Sequence, residues 1–109
     1  MTVKELADRL NLSAVVLEEP EREASGVYVG DLLSWVMGRA SAGNVWVTIM
    51  SNVNVVAVAS LADVSTVILS EGVALDEGVE EAARARGVNV LASPLPSYEV
   101  CKLLFGTLG

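Results

Sequence analysis

The chain has 109 residues, 52% of them apolar, with only five aromatic side chains (Tyr28, Trp35, Trp46, Tyr98 and Phe105), enough for one domain around a core rich in Val, Leu and Ala. Fourteen acids against seven bases give a net charge of −7. No cluster of Lys or Arg is present, so the electrostatic basis for holding a phosphate backbone is missing and nucleic acid is excluded as a partner. The absence of His and the single cysteine, Cys101, remove Cys/His zinc sites, Ser-His-Asp triads, Cys–His dyads and an internal disulfide together.

In chain order, Thr2-Val-Lys-Glu5 reads as a capping box opening a helix, with Val3, Leu6, Ala7 and Leu10 on its apolar face and Asn11 as its stop. Ser13 to Leu17 reads as a strand, and Glu18 to Ser25, with Pro20, as a charged loop expected to be the most mobile segment. Val27 to Val29 forms a short strand, after which Asp31 is expected to cap a helix reaching about Arg39, with Leu32, Leu33, Trp35 and Val36 as its apolar face.

Ser41 to Asn44 is a turn, Val45 to Met50 a central strand, Ser51-Asn52 a polar elbow, and Val53 to about Leu61 an apolar helix. Thr66 to Leu69 is the next strand, with Ser70-Glu71-Gly72 as its exit. A helix is predicted from about Asp76 to Arg86, stopped by Gly87, then a strand over Val88 to Ala92. Pro94 and Pro96 shape the following loop, and Ser97 is expected to cap a last helix to about Phe105, whose buried face would hold Cys101 among Tyr98, Val100, Leu103 and Leu104.

Strands alternating with helices at this spacing predict a single α/β domain: a parallel-rich sheet with helices on both faces. Residues 1–25 supply an N-terminal helix, a strand and the charged loop, and residues 26–105 the main βα repeats. The uncharged run Ala40 to Ala62 approaches membrane-spanning length but is broken by Gly43, Asn44, Ser51, Asn52, Asn54 and Ser60. The opening Met-Thr-Val-Lys-Glu is unlike a secretory leader, and a cytoplasmic protein without membrane association is expected.

Gly38-Arg-Ala-Ser-Ala-Gly43 has the GxxxxG spacing of a phosphate-binding loop, but Asn44 and Val45 stand where Lys and Ser or Thr are needed. A helix also precedes these glycines and a strand follows them, the reverse of that motif's order. Asp31, Asp63, Glu71 and Asp76 are at no spacing that forces them together, so no metal site is expected.

In an open α/β sheet, ligands bind where strands end and helix N-termini offer free amides. Ser51 and Asn52, then Ser70, Glu71 and Gly72, then Ser93 and Ser97 occupy such ends, and on neighbouring strands they would line one edge. They are the candidate ligand-binding residues, for a phosphate or carboxylate. The alternative is that Ser and Asn here are ordinary helix caps. Trp35 and Trp46 are candidates for core or interface, and the surplus of apolar side chains predicts a homodimer.

The strand–elbow–helix of Val45 to Leu61, the VSTVILSEG segment at Val64 to Gly72 and the GVNVLASPLPSYEV close at Gly87 to Val100 resemble a DRTGG domain, over about Val27 to Leu104. The opening TVKELADRLNL at Thr2 to Leu12 resembles the start of the N-terminal domain of HPr kinase/phosphorylase. Ser51-Asn52-Val53 stands at the position of the namesake motif's acidic–basic elbow, and Glu71-Gly72 at that of its Gly pair.

The resemblance implies a small α/β domain, alone or fused to catalytic modules, that regulates or dimerises rather than catalyses. The missing P-loop contradicts kinase activity. The expectation is therefore a non-catalytic regulatory or assembly module without a cofactor, homodimeric and acting on an enzyme partner. The alternative is a sensor of a nucleotide or phosphorylated metabolite at the strand-end loops.

Overall fold

The computed structural model describes residues 1–108, in the order α1 (Val3–Arg9), β1 (Ser13–Val16), β2 (Val27–Val29), α2 (Leu33–Arg39), β3 (Val45–Thr48), α3 (Val53–Ala62), β4 (Thr66–Leu69), α4 (Val79–Arg86), β5 (Val90–Ala92) and α5 (Ser97–Leu108). The five strands make one sheet in the order β1-β5-β4-β3-β2, with β1 antiparallel to β5 and every other pair parallel. The central strands β3 and β4 are buried along their whole length. They can be, because alternate side chains feed two separate apolar layers.

On one face, Trp46, Val67, Leu69 and Val90 pack against Val36 of α2, Val55, Val56 and Ala59 of α3, and Val79 and Ala83 of α4. On the other, Val45, Val47, Ile68 and Leu91 meet Val3, Leu6 and Ala7 of α1 and Val100 and Leu104 of α5. This is the α/β sheet, with helices on both faces, that the alternation of elements predicts.

Local chemistry explains most element ends. The Thr2 hydroxyl accepts from the Glu5 amide at 3.1 Å and the Glu5 carboxylate from the Thr2 amide at 2.8 Å, closing the capping box. Past α1, Asn11 takes the left-handed φ of 55° and the Leu12 amide turns back to the Ala7 carbonyl, ending the helix. Gly87 ends α4 in the same way, with φ 66°.

Two expected helix starts are corrected. Asp31 does not cap α2, whose N-cap is Leu32 with no side-chain bond. Its carboxylate instead accepts from the Thr48 hydroxyl at 2.7 Å and the Ile49 amide at 3.0 Å, holding the end of β3. Helix α4 starts at Val79 rather than Asp76, because Gly78 adopts φ 83° immediately before it. The two tryptophans part: Trp46 is fully buried with its indole N–H on the Gly30 carbonyl at 2.8 Å, whereas Trp35 is half exposed beneath the Arg39 guanidinium, 3.7 Å from its ring centre.

The charged loop, expected to be mobile, is tied at several points. Buried Asn89 accepts from the Glu19 amide at 2.9 Å and donates to the Glu19 carbonyl at 2.8 Å and the Ser65 carbonyl at 3.0 Å. The α1 amides of Val3 and Lys4 donate to the Arg22 and Pro20 carbonyls, and Arg22 pairs with Asp63 at 2.8 Å. Composition marked the loop as polar; the long-range partner of its backbone, 70 residues away, left no local signal.

Candidate functional site

The strand-end residues fall into one dense cluster and one smaller neighbour. Because β3, β4 and β5 are adjacent and parallel, their C-terminal ends lie side by side. There Glu71, at φ 61°, bends the chain so that its amide donates to the Leu95 carbonyl at 2.8 Å and the Gly72 amide to the Ser93 carbonyl at 3.1 Å. The Ser70 and Ser97 hydroxyls share a hydrogen bond of 2.6 Å, and the Ser93 hydroxyl accepts from the Leu95 amide at 3.1 Å.

Ser97 does not cap α5 as expected. The Pro96 carbonyl takes the first bond of the helix, from Val100, so Ser97 lies one position inside it. The Ser97 amide is satisfied by the Glu71 carboxylate at 2.7 Å. An acidic side chain on a helix's first amide is the favourable electrostatic arrangement. The anion at this helix start is one of the chain's own.

Ser51 and Asn52 form the smaller group. The Asn52 side chain caps α3 by accepting from the Asn54 amide at 2.9 Å. The Ser51 hydroxyl donates to Asp76 at 2.8 Å, and the Asp76 amide returns to the Ser51 carbonyl at 3.0 Å. Ser70, Glu71, Gly72, Ser93 and Ser97 are thus brought together, while Ser51 and Asn52 join them only through the loop that leads to Asp76.

The chemistry of this edge is that of closed loops. The charged residues of these loops are all carboxylates, Glu71, Asp76 and Glu77, and no Lys or Arg lies within them. No buried side-chain polar atom among the described residues lacks a hydrogen-bond partner. Nor do three His, Cys, Asp or Glu side chains gather among them as metal ligands would.

A second feature lies on the α1/α5 side of the sheet. Helix α5 buries Val100 and Leu104, while Tyr98 and Leu103 are exposed, which corrects the expected buried face around Cys101. Cys101 instead lies half-buried in an open apolar groove of about 380 Å³, lined by Gly26, Val27, Val29, Cys101, Phe105 and Leu108. Burial pushes the Cys101 thiol up from its ordinary pKa, so the thiolate is disfavoured. A sequence signal for the groove existed: Tyr98, Cys101, Phe105 and Leu108 recur at i, i+3, i+7 and i+10, a second apolar stripe beside the one that faces the core.

No known family's sequence profile matches the chain, and no curated protein does. Among solved structures it is similar to the CBS and DRTGG domains of the regulatory region of Clostridium perfringens pyrophosphatase, determined in complex with its activator, diadenosine tetraphosphate. The TM-score is 0.73 at 18% sequence identity, over 94% of this chain and 45% of that one. The two share a fold, and this chain spans less than half the length of the other.

Proposed function

We propose that this chain is a non-catalytic regulatory or assembly module of the DRTGG type, working in the cytoplasm by packing against a second copy of itself and an enzyme partner. One contrast carries the reading. The strand-end edge, where α/β sheets ordinarily take ligands, is filled by the chain's own hydrogen bonds and carries the Glu71 carboxylate on the α5 amide. The groove between β2 and α5, by comparison, is apolar and open. The shared fold with part of a pyrophosphatase's regulatory region supports a regulatory role.

Sedimentation equilibrium of the pure protein tests the reading. A dimer at micromolar concentration supports it, and a monomer up to high micromolar concentration overturns its self-association.

A second reading is favoured by the structural neighbour, which was solved with a dinucleotide activator. On it, Ser51, Asn52, Ser70, Glu71, Gly72, Ser93 and Ser97 would bind a nucleotide or phosphorylated metabolite and bias assembly. The Glu71 side chain would then have to leave the Ser97 amide. A thermal-shift screen with nucleotides, dinucleoside polyphosphates and sugar phosphates tests it, because a ligand at 100 times its Kd adds about 2.7 kcal/mol of stability. A flat panel sinks this second reading.

A further inference from the structure

We propose that the outer edge of β2 and the adjoining stripe of α5 form a two-fold interface between two copies of this chain; the claim rests on the assembly reading above and gives it a surface. Among the described residues, strand β2 ends the sheet and pairs only with β3. Its hydrogen-bonding phase follows from its two flanks: the Val45 amide donates to the Gly26 carbonyl, and the Gly30 amide to the Val47 carbonyl. In a parallel ladder that alternation turns Tyr28 toward β3 and leaves the amides and carbonyls of Val27 and Val29 pointing outward.

Such an edge is a template for another strand unless it is blocked, and Val27-Tyr28-Val29 carries neither a charge nor a proline to block it. The strand that such an edge accepts can be β2 of a second copy. With a two-fold axis beside Tyr28, antiparallel pairing sets Val27 of each copy opposite Val29 of the other. Both outward amides and both outward carbonyls of each strand are then satisfied, and the two sheets run on as one.

The side chains agree with the backbone. Val27 and Val29 share the groove with Cys101, Phe105 and Leu108, and no charged residue lines it. The same two-fold axis sets the α5 helices of the two copies antiparallel on one face of the joined sheet. Their stripes of Tyr98, Cys101, Phe105 and Leu108 have the three-and-four spacing of a helix–helix seam.

The area also matches. Phe105 is 77% exposed, Tyr98 71%, Val29 51% and Val27 37%. With aromatic side chains at roughly 200 Å² each, this is on the order of 450 Å² of apolar surface per copy. A standard interface hides about 800 Å² per partner, a little over half of it apolar, so this patch supplies the apolar share of one dimer contact.

Light scattering on the wild type and three variants tests the proposal. Phe105→Lys places a charge in the groove. Val29→Pro removes an outward amide and leaves the β2–β3 ladder intact. Trp35→Lys alters the exposed indole on α2, on the other face of the sheet, as a control. The wild type and Trp35→Lys should be dimers. Phe105→Lys and Val29→Pro should weaken dimerisation at least about 30-fold, with circular dichroism reporting that each remains folded. Alkylation of Cys101 in the wild type should slow as protein concentration rises.

A dimer that survives both patch variants, with Cys101 labelling independent of concentration, overturns this interface and leaves the assembly reading standing. A wild-type monomer overturns both.

Discussion

The Glu71 carboxylate holds the Ser97 amide at 2.7 Å, so the exit loop of β4 caps the helix that follows β5. One side chain thereby locks two neighbouring strand ends together and occupies the helix start that an anionic ligand would seek. Replacing Glu71 with Ala should destabilise the fold by about 1 kcal/mol, the usual worth of a lost helix cap. Glu71→Gln keeps an acceptor and should lose less. Urea denaturation measures both, and equal stability of all three proteins would show that the bond contributes nothing.

Asn89, a nearly fully buried side chain, fixes the charged loop through two hydrogen bonds to Glu19 and anchors itself by a third to the Ser65 carbonyl. Asn89→Ala should cost about 2–4 kcal/mol, since it removes these bonds and strands the buried partners. Cleavage by trypsin after Arg22 should quicken in the variant. An unchanged cleavage rate would mean that the loop is held by its contacts with α1 and Asp63 instead.

The acid side of the stability curve should register the α1 capping box. The Thr2 amide, and after it the Thr2 hydroxyl, holds the Glu5 carboxyl below its ordinary pKa of 4.5. A carboxyl with a depressed folded-state pKa contributes stability that is complete above its unfolded value and lost as pH falls through the folded one. The stability difference between wild type and Glu5→Gln should therefore be constant at neutral pH and shrink below about pH 4.5. A difference that stays constant into strong acid would contradict the capping role.

The layers of this fold were legible because β3 and β4 are predominantly apolar runs, each with a single Thr, between helical segments. The caps at Thr2, Asn11 and Gly87 were legible because each acts within a few residues of its own position, while the cap at Asn52 stood only as the alternative to a ligand role. Functions that depend on distant partners were hidden. Asp31 has the spacing of a helix cap, yet its partners Thr48 and Ile49 are brought to it by the β2–β3 pairing. Ser97 likewise looks like a cap, and only the juxtaposition of β4 and β5 reveals that Glu71 performs that task.

Convergence of Ser70 to Gly72 with Ser93 and Ser97 was expected from strand ends on one edge, whereas their mutual saturation was not. Donor and acceptor residues read the same in sequence whether they face a ligand or each other. The groove beside α5 was missed for a related reason. Tyr98, Val100, Leu103 and Leu104 are all apolar, and residue type alone did not say which of two overlapping stripes α5 turns to the core.

Hydrogen exchange of the backbone amides, followed at low and high protein concentration with and without a nucleotide panel, tests most directly the claim that this chain works through a surface. Protection at Val27 and Val29 should rise with concentration, while Gly72 and Ser97 stay unchanged by every nucleotide. Nucleotide-dependent protection at Gly72 and Ser97, with β2 exchanging alike at both concentrations, would contradict the account.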